Sequence, residues 1–352
     1  MRADVEEQPP DTTRLTGGWL ALGVVTTLLA AIVGLAVGPA GVSPWRAALE
    51  VLDHLPLVQV DAGLSAAQSA VVWEIRAPRV ALGLLVGALL AISGAGYQGV
   101  FRNPLADPYL LGIAAGAGLG ATLAIVSGAG AGTGPLDPLP LFAFVGALVA
   151  VAAAVTLGLR TGAGGSATTL VLAGVAVAAF LTAVQTYVQQ RHTDTLRQVY
   201  SWILGQLGTS GWGQVQLVLP YALVCGGVLV ACAGRLDVLA VGDEEARSLG
   251  LHPGRVRALV LVAASLATAA AVSVSGLIGF VGLVVPHVVR LLAGATHRRV
   301  LPLSLLLGAA FLALADVVAR TVQAPAELPI GVVTAFVGAP FFLVVLRTSR
   351  VA

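Results

Sequence analysis

Uncharged stretches as long as a membrane is thick decide what this chain can become. Residues 80–101, 110–136, 138–159 and 161–190 contain no Asp, Glu, Lys or Arg. An α-helix needs roughly 20 such residues to cross about 30 Å of hydrocarbon. Each run is therefore a candidate span, and the composition agrees: 57% of the 352 residues are hydrophobic and only 10% are charged, against about 25% charged in a soluble domain. The expected fold class is all-α, a polytopic integral membrane protein with no soluble domain.

The charges that remain exclude several chemistries. A net charge of +2 gives nucleic acid no electrostatic reason to bind, so no nucleic-acid partner is expected. All 19 basic residues are arginine, which rules out a phosphate-binding GxxxxGK[ST] loop and a Schiff-base lysine; any ATP must be hydrolysed by another subunit. Cys225 and Cys232 lie seven apart in one apolar run, two helical turns, too far to bridge. His54, His192, His252, His287 and His297 are scattered singly, so no metal site is expected. An enzyme would need a clustered nucleophile, base or metal site, and none is visible.

Ten spans are expected, near residues 17–37, 80–97, 109–127, 141–159, 167–188, 213–233, 257–275, 278–292, 300–319 and 328–346, within one domain covering 17–350. Residues 258–289 are free of Arg, Asp and Glu, too long for one span of ordinary tilt; Ser273, Ser275, Gly276 and Gly279 supply the turn that divides it. Residues 1–16 are polar and contain two prolines, with no small-residue cleavage site after a short apolar segment. They read as a disordered cytoplasmic tail before an uncleaved first span. Placing the amino terminus inside puts Arg2, Arg14, Arg102, Arg160, Arg235, Arg247, Arg255, Arg257, Arg290, Arg298, Arg299, Arg347 and Arg350 in the cytoplasm, against Arg46, Arg76, Arg79, Arg191, Arg197 and Arg320 outside. The excess of inside arginines supports that orientation, with both termini cytoplasmic.

Glycine is the second strong feature. Gly112, Gly116 and Gly120, and likewise Gly83 and Gly87, recur every four residues, a spacing that lets neighbouring helices approach closely in lipid. Between the sixth and seventh spans, residues 236–257 hold the densest charge after the tail. Asp243, Glu244 and Glu245 suit the first turn of a short helix that Gly250 ends. Such a helix is either a docking surface or an ordinary solvated loop. Arg76, Arg79 and Arg320 lie at outward ends of spans, where they either snorkel or pair with carboxylates of an external partner. Asp316 is four residues before Arg320 and can pair with it on one face.

Four separated strings are specific enough to carry a resemblance. RAPRVALGLLVGALLAISGAGYQGVFRNPLADPYLLGIAAGAGLGA (76–121), GDEEARSLGL (242–251), GLIGFVGLVVPHVVRLL (276–292) and AELPIGVVTAFVGAPFFLVVL (326–346) closely resemble the permeases of bacterial ABC importers for iron-siderophore, haem and cobalamin uptake, the FecCD-type family. The similarity runs from about residue 15 to 350 in order.

The resemblance implies a type II importer in the bacterial cytoplasmic membrane. Two ten-span permeases, identical or homologous, stand side by side over two ABC ATPases, and an extracytoplasmic substrate-binding protein delivers cargo. No cofactor is expected on this chain; ATP and Mg belong to the partner ATPase. The coupling helix corresponds to Gly242, Asp243, Glu244, Glu245, Ala246, Arg247, Ser248, Leu249 and Gly250. Arg76, Arg79 and Arg320 match arginines that receive glutamates of the binding protein. Ala167 and Thr168 match the cytoplasmic gate, where relatives often carry two hydroxyl residues, so Ala167 is a departure. A ferric siderophore is the expected cargo, with haem or cobalamin as the near alternatives. The reading from another class is an ion-coupled secondary transporter, for which only Asp316 and Glu327 are available as intramembrane acids.

Overall fold

In the computed structural model, residues 15–38, 42–54, 60–129, 138–160, 167–208 and 211–348 are described. Most of the tail expected over 1–16 lies outside them. The ten expected spans coincide with ten helices: α1 (Gly17–Ala36), α4 (Ala77–Phe101), α5 (Ile113–Val126), α6 (Pro138–Arg160), α7 (Ala167–Arg191), α9 (Trp212–Val241), α11 (Pro253–Ser275), α12 (Val281–Ala293), α13 (His297–Thr321) and α14 (Ile330–Thr348). Seven helical segments are long and apolar enough to cross a membrane, and three shorter apolar helices, α5, α12 and the one beginning at Ile330, complete the set.

Three short α-helices and a π-helical turn were not foreseen. The amphipathic α2 (Pro44–Asp53) buries Ala47 and Glu50 and exposes Trp45. The segment α3 (Ala66–Ala70) is started by a capping box in which the Ser65 and Gln68 side chains each bond the other's backbone N–H. It runs through a π-helical turn (Val71–Arg76) into α4, so the second span begins well before residue 80. The third α-helix, α8 (Leu196–Ile203), buries Val199 and Trp202. Only α10 (Asp243–Ser248), the helix expected within 236–257, was read in advance.

Helix α4 is the centre of the bundle. Of its most apolar window 83% is buried, against 22% for α1. It packs on α13, α11, α9 and α12. Close approach makes this possible: a Cβ on Gly87 would collide with the carbonyl oxygen of Gly308 in α13, and one on Gly94 with that of Gly282 in α12. The expected stripe on α5 is used in the same way, with Gly116 against the Gly146 carbonyl and Gly120 against that of Phe142, both in α6. Gly112 is not part of that stripe. At φ +81° it caps the 3₁₀ turn Pro108–Leu111 and precedes α5.

Two spans are shorter than a bilayer because irregular backbone precedes them. Such backbone survives at membrane depth only where its polar groups are paired inside protein. The chain leaves α11 at Gly276, φ +69°, and re-enters helix after Phe280, φ +68°, close to the break expected from Gly276 and Gly279. The Tyr109 hydroxyl donates to the Ile278 carbonyl at 2.9 Å and accepts from the Ile278 N–H at 3.2 Å. Gln98 Nε2 donates to the carbonyls of Ala106 and Gly282, and Arg290 holds Gln98 Oε1 at 2.6 Å. Beyond the end of α11, Gln206 N–H bonds the Ser275 carbonyl, and Gly331 N–H that of Leu204.

Cys225 and Cys232 are free and buried. If backbone proximity between α4 and α13 holds the bundle, Gly87→Val should lower the thermal midpoint of the detergent-purified chain by several degrees, since overpacking costs about 1–3 kcal/mol or more. Gly213→Ala, where an added Cβ meets nothing within 4 Å, should leave it within a degree; equal effects of the two would contradict the packing.

Candidate functional site

The charged side chains gather at the two ends of the bundle. At the first end, α4 carries Arg76 and Arg79 one turn apart at its start, and α13 presents Asp316 and Arg320 near its end. The Asp316 carboxylate accepts from Arg79 Nε at 3.0 Å and Nη2 at 2.8 Å, and lies 3.4 Å from Arg320 Nε on its own helix. Its side chain is 3% exposed. Glu327, in the turn between α13 and α14, takes the other edge of the same guanidinium: Arg79 Nη1 to Oε1 and Nη2 to Oε2, both 2.9 Å. The Glu327 side chain is 48% exposed. The remaining arginines turn inward. Arg320 donates to the carbonyls of Val37 and Gly34, and Arg76 to those of Leu35 and Ala36. These are carbonyls at the end of α1 that no helical N–H can reach, and cations there also complement the helix dipole.

This arrangement sorts the three candidate docking arginines. Arg76 is buried and Arg320 nearly so, both committed to the end of α1. The Arg79 side chain is 11% exposed and pairs with the half-exposed Glu327. The cluster was partly legible: the Asp316–Arg320 spacing predicted one pair, whereas Arg79–Asp316 and Arg79–Glu327 join residues more than 230 positions apart. No local signal announces such pairs.

At the opposite end sits α10. Its first turn holds Asp243, Glu244 and Glu245, as the sequence suggested. Gly250, at φ +79°, ends it with its N–H on the Arg247 carbonyl, and the Leu251 N–H reaches the Ala246 carbonyl. Asp243 does not face water alone. Arg257 of α11 grips it through two bonds of 2.8 and 2.6 Å, and Arg102, at the end of α4, donates at 2.6 Å. Arg102 also bonds the Leu239 carbonyl. The short helix is thereby tied to α4, α9 and α11 at once. Ala246 is buried beneath it, while Glu244, Glu245, Arg247, Ser248 and Leu249 are exposed. Leu249, 70% exposed, gives this polar surface an apolar point.

Both anchoring carboxyls titrate below their usual range, Asp243 chiefly through the Arg257 hydrogen bond and Glu327 chiefly through that of Arg79. A lowered folded value means the attachment is complete above an ordinary carboxylate pKa of about 4 and is lost only as pH falls through the lowered one.

The gate positions lie at the start of α7, which begins at Ala167; Thr168 beside it is exposed. The same helix exposes Leu172, Val175, Phe180 and Tyr187, and α14 exposes Phe336, Val337, Leu343 and Val344. Among the described residues no three His, Cys, Asp or Glu side chains come together as a metal site.

Comparison with known proteins now decides the family. The model of the FecCD transport family matches residues 25–348. The chain belongs to the FecCD transport family. It is 43% identical over 282 residues to an uncharacterised ABC transporter permease, YvrB, of Bacillus subtilis, covering 80% of each chain. It is 43% identical over 308 residues to the cobalamin import system permease BtuC of Halobacterium salinarum, covering 88% of this chain and 80% of that one. The haemin transport system permease HmuU of Yersinia pestis is 41% identical over 295 residues, covering 79% and 84%. A solved structure described as an inward-facing metal-chelate type ABC transporter superposes with a TM-score of 0.80 at 30% identity, over 95% of this chain and 100% of that one. FecCD members are permease subunits of ABC transporters and not themselves enzymes. The chain is accordingly an integral membrane permease, as its helices require.

Asp316 is the keystone of the FecCD permease's Arg-rich end. Removing one partner of a buried ion pair strands the others at a cost of about 3–5 kcal/mol. Asp316→Ala should therefore lower the thermal midpoint of the purified protein far more than Glu327→Ala does. Equal midpoints would mean that Asp316 is not the shared anchor.

Proposed function

We propose that the chain forms, with a second identical or homologous permease, the pathway of an ATP-driven importer in the bacterial cytoplasmic membrane that carries a ferric siderophore. Supporting this reading is its kinship with permeases for haem, cobalamin, iron-hydroxamate and iron-citrate, together with the tethered, solvent-exposed α10. No lysine exists for ATP hydrolysis on this chain; two partner ATPases hold ATP and Mg. The metal travels inside its chelator as cargo.

In this reading the termini and α10 face the cytoplasm, and the Arg79 end faces outward. Residues 242–250 seat in the ATPase, with Glu244, Glu245, Arg247, Ser248 and Leu249 as the contact surface. When the ATPases close on ATP, Asp243 passes the displacement through Arg102 and Arg257 into α4 and α11. Helix α4 lies directly against the backbones of α13 at Gly87 and of α12 at Gly94, so it moves as a body with them. The displacement changes the separation of the two permeases' α7 helices, opening or closing the path at Ala167 and Thr168. At the other end an extracytoplasmic binding protein docks on the Arg76, Arg79 and Arg320 cluster, with Arg79 as the residue it touches.

The ion-coupled alternative needs a carboxyl free to take and release a proton. Asp316 is committed to two guanidinium groups, those of Arg79 and Arg320, and this favours the ATP-driven reading. Proteoliposomes containing the permease, its ATPase and its binding protein should accumulate a ferric siderophore only with internal ATP, and Asp243→Ala should reduce uptake at least tenfold. Uptake driven by a proton or sodium gradient without ATP would overturn the reading, and ATP-driven uptake of haem or cobalamin in place of siderophore would correct the cargo.

A further inference from the structure

Both edges of the Arg79 guanidinium are occupied before any partner arrives. Its guanidinium offers five N–H donors in a planar fork. Asp316 takes Nε–H and one Nη2–H; Glu327 takes one Nη1–H and the second Nη2–H. The single donor left cannot hold a carboxylate by two parallel bonds, the geometry that makes arginine–carboxylate recognition strong. An acidic side chain from outside must displace one of the two resident carboxylates.

The two residents differ in how easily they leave. Asp316 is buried at 3% exposure, sits within the last turns of α13 and is shared with Arg320. Glu327 is half exposed, sits in the turn that leads to α14, and among the described residues bonds through its side chain to Arg79. Its carboxylate lies beside a cavity of about 130 Å³ that Gly205, Gln206, Gly208 and Pro329 help to line. Gly208 lets the pair rest close to the backbone: a Cβ there would stand 3.3 Å from Glu327 Oε2 and 3.5 Å from Arg79 Nη1. Charge favours exchange as well. Three arginines meet two acids in the cluster, so withdrawing Glu327 leaves two uncompensated positive charges for an incoming anion.

We propose that Glu327 is an internal competitor for the docking site: it fills the outer edge of Arg79 in the unpartnered permease and yields to a carboxylate of the external binding protein. The arrangement keeps a largely buried guanidinium satisfied between docking events, and it sets the affinity of docking below what Arg79 alone would give. A binding protein released after each delivery benefits from that lower affinity. The inference rests on the docking reading proposed above.

The test measures the dissociation constant of the chelate-loaded binding protein for the nucleotide-free permease–ATPase complex in nanodiscs, by biolayer interferometry. Arg79→Gln should weaken binding at least tenfold. Glu327→Gln should tighten it about fivefold, the scale of a partly exposed ion pair, and should lower the rate of release. Should Glu327→Gln fail to fold, as judged by its thermal midpoint, Glu327→Asp, too short to hold both edges of the fork, should give a smaller tightening. Weaker or unchanged binding with the Glu327 variant, while Arg79→Gln weakens it, would overturn the competitor and leave docking at Arg79 standing. Unchanged binding with Arg79→Gln would remove the docking reading and the competitor with it.

Discussion

Helix α4 occupies the middle of this bundle because two neighbouring backbones come against it where it has no side chain. Lipid supplies no hydrophobic force between helices, so association depends on contact area and on polar pairs. Gly87 and Gly94 provide that contact to α13 and α12. Both charged ends hang from the same helix: Arg76 and Arg79 mark its start and Arg102 its end. A displacement at one end of α4 is therefore not absorbed by soft side-chain packing before it reaches the other. The account of coupling follows from this geometry more than from any single charged contact.

Polar satisfaction is the second constraint. The breaks before α5 and α12 would be untenable in hydrocarbon, yet Tyr109 and Gln98 pair their backbone groups and Arg290 holds the Gln98 side chain in place. The same side chains connect elements far apart in the chain, so the breaks also fix how α4, α5 and α12 sit together. At the Arg79 end of the bundle the carbonyls that α1 leaves unpaired recruit Arg76 and Arg320. What looks in sequence like a patch of three free cations is, in three dimensions, two helix-end anchors and one arginine shared by two acids.

That contrast marks what the sequence could reveal. Span positions were legible because hydrophobic length is a one-dimensional property, and the turn at Gly276 because glycine announces itself. The helix at Asp243–Ser248 was legible from acids and a terminal glycine. The early start of the second span was hidden because Glu74, Arg76 and Arg79 read as a water boundary, whereas the structure sets the two arginines against helix ends and acids. The tie between Asp243 and Arg102, like that between Arg79 and Glu327, depends on tertiary approach, which single-sequence periodicity does not encode. The candidate docking residues were correctly grouped at one end, but their separate commitments became visible only with the neighbouring helices in place.

The functional account stands on the two charged ends facing opposite sides of the membrane, and labelling measures this directly. Single cysteines at Glu244 and Gln323, both exposed, would be introduced after replacing Cys225 and Cys232, then treated with a membrane-impermeant maleimide in right-side-out vesicles. The account predicts labelling of the Gln323→Cys protein from outside and of the Glu244→Cys protein only after permeabilisation. Labelling of both from the same side, or of Glu244→Cys alone, would contradict it.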